Sequence, residues 1–317
     1  MNTPSIPVVD LALFTQGTPK QKTAFVAALG RAFEDTGFVA VQNHGMSDAL
    51  IGDLYEYAKQ FFGLPLAEKE ACEIEGMAGQ RGYTSFGREH AKGFDKPDLK
   101  EFFQYGQEVI DGDPIAKEYP DNVNVAVIPA FTPTLRRAYQ AFEDSGKALL
   151  HAIALHLGLE EHYFDSFVRN GNSILRAIHY PPITQEPRSA VRAEQHEDIN
   201  LITLLVGASA DGLQILSRQG TWVPVTSLPD QIVVNVGDML QRLTNDRLKS
   251  TTHRVVNPPR EQWSTSRYSI PFFLHPKASM SLRCLDSCVD EAHPKAYEDA
   301  TAGEYLDERL REIGLKK

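Results

Sequence analysis

His196-Glu197-Asp198 sets an imidazole and a carboxylate two residues apart. On an extended strand, residues i and i+2 point to the same face, so both side chains can reach one metal ion while Glu197 points away. A second imidazole, His253, lies well downstream and needs only a fold that brings the segments together. Two imidazoles and one carboxylate on one side of an ion leave the opposite coordination positions open. That arrangement suits a non-haem ferrous ion that must also bind O2 and an organic co-substrate. Arg267 and Ser269 repeat the same-face spacing. They offer a guanidinium fork and a hydroxyl, a pairing suited to a carboxylate held bidentately.

These groups must be positioned by strands. After Asn170 the apolar pattern changes from a period of 3.6 to a period of 2. Short runs follow at 174–180, 200–206, 213–216, 222–225, 232–236, 253–256 and 267–274, separated by turn residues such as Pro181-Pro182, Asp211-Gly212, Gln219-Gly220 and Gly237-Asp238. Regularly spaced short strands with such punctuation predict a sandwich or barrel, and a metal site assembled from different strands favours a jelly roll. Upstream, Thr18-Pro19 opens a helix that Gly37 stops, residues 38–41 read as a strand, and Ser47 caps a second helix. Residues 70–113 are Gly-rich and weakly periodic, which predicts loops with short strands. Thr132-Pro133 opens a long helix closed by Gly158, and 300–317 read as a final helix. The expected organisation is one structural unit: an N-terminal region at 1–120, a linking helix region at 121–170, the β core at 171–278 and a helical tail at 279–317.

Composition narrows the classes. The chain has 317 residues, 42% hydrophobic and 23% charged, with a formal net charge of −10. An acidic surface repels phosphate backbones, so nucleic acid is not expected as a partner. No stretch approaches the apolar length a membrane helix needs, and residues 1–10 do not read as an export signal. The three cysteines, Cys72, Cys284 and Cys288, argue against a disulfide framework and for a reducing cytoplasm. The oligomeric state is not written in these features.

Several ordered motifs resemble the iron(II)/2-oxoglutarate-dependent dioxygenases of the isopenicillin N synthase-like family. They are Ile6-Pro-Val-Val-Asp10, Gly37-Phe-Val-Ala-Val-Gln-Asn-His-Gly45, Phe61-Phe-Gly-Leu-Pro65, Arg81-Gly-Tyr83, Lys100-Glu-Phe102 and His179-Tyr-Pro-Pro182. They continue through His196-Glu-Asp198, Gly212-Leu-Gln214, Asn235-Val-Gly-Asp238, Thr244-Asn245, Ser250-Thr-Thr-His-Arg-Val255 and Arg267-Tyr-Ser-Ile-Pro-Phe272. The resemblance runs nearly end to end. It implies a mainly β fold with flanking helices around a double-stranded β-helix, a cupin-like jelly roll. It implies Fe(II) on His196, Asp198 and His253, and 2-oxoglutarate as co-substrate on Arg267, Ser269 and Tyr180. Ile178 departs from relatives that carry an asparagine two residues before this tyrosine. The implied reaction consumes O2 and 2-oxoglutarate, releases succinate and CO2, and hydroxylates, desaturates or cyclises a small molecule. An iron oxidase that does not use 2-oxoglutarate is the alternative, and a non-catalytic jelly-roll binding protein a more remote one.

The remaining candidates read as structural first. His44 fixes a turn, and His151, His156 and His162 lie on or just after the long helix. His179 alternates with Tyr180 and should face away from the site, and Asp238 reads as a turn residue. Phe102, Phe103 and Phe272 read as core, with Phe103 and Phe272 also taken as candidate walls of the substrate pocket. The loop 83–104 and the C-terminal helix are the candidates for a substrate lid.

Overall fold

Local capping starts two of the helices where the pattern places them, whereas the long helix expected to open at Thr132-Pro133 begins at Phe131 without a side-chain cap. Thr18 and Gln21 form a reciprocal capping box at the start of α2 (Pro19–Asp35), after the short α1 (Ala12–Thr15). Gly37 follows the end of α2 at φ 69°, a left-handed conformation that costs glycine little. Ser47 caps α3 (Asp48–Phe62), which precedes α4 (Leu66–Glu70). α5 (Phe131–His156) is the longest helix, followed by α6 (Asp165–Val168), α7 (Asp238–Leu243) and α8 (Ala302–Glu312). The last begins at a Thr301–Glu304 capping box and is shorter than the 300–317 expected. The computed structural model describes residues 6–77, 79–89, 98–110, 112–187, 190–225, 230–313 and 315–316. Among these, no helix is long and apolar enough to cross a membrane.

The strands are β1 (Val8–Asp10), β2 (Phe38–Gln42), β3 (Gly82–Thr84), β4 (Glu101–Gly106), β5 (Ile174–Tyr180) and β6 (Ala193–His196). They continue as β7 (Ile202–Val206), β8 (Leu213–Leu216), β9 (Trp222–Pro224), β10 (Gln231–Val236), β11 (His253–Val255) and β12 (Arg267–Leu274). An eight-stranded sheet runs β1-β2-β10-β7-β12-β5-β4-β3, and a four-stranded sheet runs β6-β11-β8-β9. Except for the parallel β1–β2 pair, the ladders are antiparallel. Two such sheets with helices on the outer side of the larger one make the jelly-roll sandwich expected from the strand pattern.

Side-chain alternation divides the large sheet between two environments. Leu175 and Ala177 of β5, Leu204 of β7, Val234 of β10 and Ile270, Phe272 and Leu274 of β12 enter the main core with Phe142, Leu149 and Ile153 of α5. Their neighbours one residue away line a cavity between the sheets. These are Arg176 and Ile178, Thr203 and Leu205, Val233 and Asn235, and Arg267, Ser269, Pro271 and Phe273.

This alternation corrects two expectations. Phe103 packs at 4.9 Å from Phe61 and 5.4 Å from Phe131 (ring centroids), and Phe272 stacks at 5.4 Å on Phe142. Both are core rings on the helix side, and neither lines the cavity. Once Arg267 and Ser269 face the cavity, residue 272 must face away, and Phe273 takes the wall position. Residues 101–106 also form a complete strand, although the stretch lacks an apolar alternation. Its Glu101 and Gln104 are buried with partners: Glu101 with Lys69 at 2.8 Å and His179 at 2.7 Å, Gln104 with Arg176 at 2.8 Å.

Candidate active site

His196 closes β6, whereas Asp198 lies just beyond it, so the pleat alone does not aim the carboxylate. Hydrogen bonds do. Asp198 Oδ2 accepts from Thr203 Oγ1 at 2.6 Å and from Asn235 Nδ2 at 2.8 Å, while its backbone carbonyl accepts from Asp238 N–H at 2.7 Å. Gly237 lets this turn close: a Cβ there would lie 2.3 Å from the Asn200 carbonyl. Oδ1 remains, 3.8 Å from His253 Nε2.

Each imidazole is oriented in the same manner. His196 Nδ1 donates to the Glu194 carbonyl at 2.6 Å and His253 Nδ1 to the Thr251 carbonyl at 3.1 Å. A carbonyl only accepts, so each Nδ1 carries a hydrogen, and Nε2 is the nitrogen left to face a metal. β6 and β11 pair with His196 opposite His253, and the ring centroids stand 4.4 Å apart. One ligand atom from each of His196, Asp198 and His253 lies within 4.8 Å of the others. Glu197 is turned aside to hydrogen-bond Thr252.

The electrostatics suit a divalent cation. Burial would raise the Asp198 carboxyl, but the His253 and His196 imidazoles and the Asn235 and Thr203 bonds hold it below the ordinary carboxylate range. Burial, with His253 beside it, pushes His196 down, which favours the neutral ligand form. A buried carboxylate between two imidazoles offers a divalent cation a ready counter-charge. The donor set fits Fe(II), and it faces a cavity of about 480 Å³.

A second charged group lies in the same cavity. Arg267 is 1% exposed, its Nε donates to the Ala210 carbonyl at 3.1 Å, and its NH1 is buried without a hydrogen-bond partner. Ser269 lies two residues along the same face, and the Tyr180 ring sits 5.0 Å from the guanidinium. Arg192 lies 6.0 Å from the same ring, donates NH2 to the Thr265 carbonyl at 2.9 Å, and leaves its buried Nε unpartnered. Burial and then the nearby Arg267 lower Arg192 to about 10. The buried Arg267 guanidinium, with a donor unused in the cavity, fits an anion such as the 2-oxoglutarate carboxylate, while Arg192 lies behind Tyr180 and is not among the cavity-lining residues. Nothing in the spacing of Arg192 singles it out in the sequence.

The wall beyond carries a charge-balanced network. Lys100 pairs with Glu89 at 2.6 Å and Asp98 at 2.8 Å, and Arg176 pairs with Glu89 at 3.2 Å while lying 4.2 Å over the Phe102 ring and 5.2 Å from Phe273. Burial would raise Glu89, but Arg176 and Lys100 bring it to about 2. Asp98 also accepts from Glu194 N–H at 3.0 Å, tying the wall to the strand of His196. Gln104 Nε2, Gln80 Oε1 and His275 Nδ1 line this region as buried polar atoms without partners. Leu306 and Leu310 of α8 also line the cavity. Of the expected lid loop 83–104, residues 90–97 lie outside the described residues. Asp238, expected in a turn, opens α7 and accepts from Tyr305 of α8 at 2.9 Å. His179 turns from the cavity and stacks at 4.8 Å on Tyr268.

Known proteins share this arrangement of the chain. Residues 171–276 match the family model of the 2OG-Fe(II) oxygenase superfamily, and residues 6–126 match that of the non-haem dioxygenase in morphine synthesis N-terminal region. A 2OG-Fe(II) oxygenase family protein from Caulobacter crescentus superimposes with a TM-score of 0.87 at 42% identity, over 98% of this chain and 100% of that one. A Neurospora crassa protein solved with alpha-KG gives 0.84 at 31%, over 98% and 97%. A 2-oxoglutarate-Fe(II) type oxidoreductase from Emericella nidulans is 31% identical over 98% of this chain and 92% of its own length.

Two outcomes follow from this geometry. Thr203→Val, which removes one hold on Asp198 without changing side-chain volume much, should weaken ferrous ion binding about 10–100-fold in an anaerobic titration; unchanged affinity would contradict the orienting role. Burial pushes His275 down to about 4, with Asp198 opposing and Arg176 assisting. The folded value lies below the unfolded one, so the unfolded chain takes up the proton first as pH falls. Stability present above about pH 6.5 is therefore lost progressively towards pH 4. Between pH 7 and 4.5, His275→Gln should lose roughly 2 kcal/mol less than the parent chain in urea unfolding, and parallel losses would show that His275 is not the group responsible.

Proposed function

The chain belongs to the 2OG-Fe(II) oxygenase superfamily, and from that membership we propose that His196, Asp198 and His253 hold its iron, while Arg267, Ser269 and Tyr180 hold its 2-oxoglutarate. The enzyme is a 2-oxoglutarate-dependent, non-haem Fe(II) oxygenase. The observation that carries the residue assignment is the convergence of three open ligand atoms within 4.8 Å in the cavity where the Arg267 NH1 lacks a partner. When bound, the ferrous ion and 2-oxoglutarate supply the O2-dependent oxidation of a C–H bond, with release of succinate and CO2.

The protein's part is orientation and shielding. Thr203 and Asn235 commit Oδ2 of Asp198, so Oδ1 is the oxygen offered to the metal. The Glu194 and Thr251 carbonyls fix the imidazole tautomers. Arg267, its guanidinium carbon 5.0 Å from the Tyr180 ring centroid, offers donors that a carboxylate can take bidentately. Buried walls from both sheets keep bulk water from these charges and strengthen their interactions.

We propose further that the substrate is a small, uncharged polar molecule with an amide-like edge. The charged wall of Lys100, Arg176, Glu89 and Asp98 is already balanced, so it does not call for an ionic substrate. Gln104 Nε2, a donor, and Gln80 Oε1, an acceptor, are unused hydrogen-bonding atoms of this wall, with His275 Nδ1 beside them. Ile174, Leu205, Val233 and Phe273 offer apolar contact to the remainder of such a molecule. The Neurospora crassa relative has been solved with thymine, a neutral ring with amide edges. α8, whose Leu306 and Leu310 reach the cavity, is the candidate lid.

Arg267→Ala should raise the KM for 2-oxoglutarate at least about a hundredfold, as expected from the roughly 3–5 kcal/mol for breaking a buried ionic pair, with iron content unchanged; Arg267→Lys should recover part of the loss. Equal loss of iron and co-substrate binding would count against the assignment. The substrate class is tested by succinate formation across a panel of neutral cyclic amides and matched carboxylic acids. Stimulation by the acids alone would refute the uncharged class while leaving the iron and co-substrate residues standing.

A further inference from the structure

A second cluster of metal-binding side chains lies outside the cavity. His151 sits near the C-terminal end of α5, His162 in the turn that follows, and Asp165 opens α6. One ligand atom from each lies within 4.8 Å of the other two. His151 Nε2 is 2.7 Å from Asp165 Oδ1, His162 Nδ1 is 2.9 Å from Asp165 Oδ2, and the two ring nitrogens are 3.3 Å apart. The rings meet edge to face at 77°, with centroids 4.5 Å apart. None of the three lines the cavity of the iron site.

With protons alone, one carboxylate must hold both rings. The ionised Asp165 only accepts, so each ring nitrogen facing it must carry a hydrogen. Asp165 then accepts from both rings at once, one through each oxygen, and the two donor nitrogens crowd to 3.3 Å beside it. Removing one of the protons relieves that contact but sets a nitrogen lone pair against a carboxylate oxygen. A cation in place of both protons meets three lone pairs at once.

The dimensions suit zinc. Tetrahedral coordination at about 2.0–2.1 Å per Zn–N bond separates two ligand nitrogens by about 3.3–3.4 Å, and the observed separation is 3.3 Å. The oxygen contacts need to open by only a few tenths of an ångström. Access is direct, because the His162 side chain is 69% exposed and that of Asp165 44%. Solvent can therefore enter and occupy a fourth position. Glu161 lies near both imidazoles and adds negative field, although it is also paired with Lys22 at 2.7 Å.

We propose that His151, His162 and Asp165 form a second divalent transition-metal site, of the zinc class, on the outer side of the helical layer. The ion would clamp the end of α5 to the start of α6, immediately before the chain enters β5. That strand carries Arg176, Ile178 and Tyr180 into the cavity. The ligand chemistry is imidazole and carboxylate, as at the iron site, so a chain offered excess metal would hold two ions.

The test uses the full-length chain freed of metal and titrated with zinc by calorimetry. The parent chain should bind two ions, and a His196→Ala/His253→Ala chain one. Adding His162→Ala to either should remove or weaken one site at least about tenfold, since loss of a ligand costs no less than loss of its supporting partner. Zinc should also raise the Tm of the His196→Ala/His253→Ala chain and fail to do so once His162 is replaced. His162 is exposed in a turn, so metal-free melting should be the same with and without it. Absence of zinc binding in the His196→Ala/His253→Ala chain, with the parent binding a single ion, overturns the proposal. So does binding that His162→Ala leaves unchanged.

Discussion

One buried carboxylate governs the geometry around it. Asp198 Oδ2 is bound by Thr203 of β7 and Asn235 of β10, both on the large sheet, while Oδ1 faces His253 of the small sheet. The residue therefore stands where the two sheets approach, with its orientation set by one and its free oxygen offered to the other. The surroundings are built to hold that position. The Asp238 amide secures the Asp198 carbonyl, and Asn200 packs so closely on Gly237 that no side chain fits between them. Removing any one of these contacts would free a charged group in a region of low dielectric, where misplacement is costly.

The period of two in the large sheet separates stability from chemistry. One face supplies Leu175, Leu204, Val234, Ile270 and Phe272 to a core shared with α5. The other supplies Arg176, Thr203, Asn235, Arg267 and Ser269 to the cavity. A slip of one residue in β12 would exchange the guanidinium for Tyr268 and turn Phe272 into the cavity. Burial of the apolar face thus fixes the register that aims the polar one.

Much of this was legible before the coordinates. Helix starts at Thr18 and Ser47 follow from local capping, which depends on neighbours in sequence. The short strands after Asn170 follow from alternation, and the ordered motifs point to the same architecture. What stayed hidden depends on tertiary partners. The bounds of β4, within a stretch expected to hold loops and short strands, escape detection because Glu101 and Gln104 look like surface residues until Lys69, His179 and Arg176 arrive from distant segments. Arg192 is one basic residue among many until burial brings it to Tyr180. Phe272 is assigned to the core side by its parity relative to Ser269, whereas Phe103 has no such reference until Gln104 meets Arg176. Strand alternation predicts that Asp198 faces the metal, yet side-chain hydrogen bonds are what aim it.

Charge balance ties the two halves of the cavity together. Asp198 contributes one negative charge and Arg267 one positive charge, each buried and neither paired with the other in the described structure. A ferrous ion adds two positive charges and 2-oxoglutarate two negative, so these four together sum to zero. With the metal alone, the side of the cavity near Arg267 is strongly positive and attracts a dianion. With the dianion alone, Asp198 faces two further negative charges across a medium that screens them poorly. On the proposed assignment, iron and co-substrate therefore each strengthen the binding of the other by linkage. Arg192 leaves a surplus positive charge, which favours the dianion further and is eased by its position over the Tyr180 ring. The balanced set of Lys100, Arg176, Glu89 and Asp98 adds nothing to this sum, so a neutral substrate can enter without disturbing it.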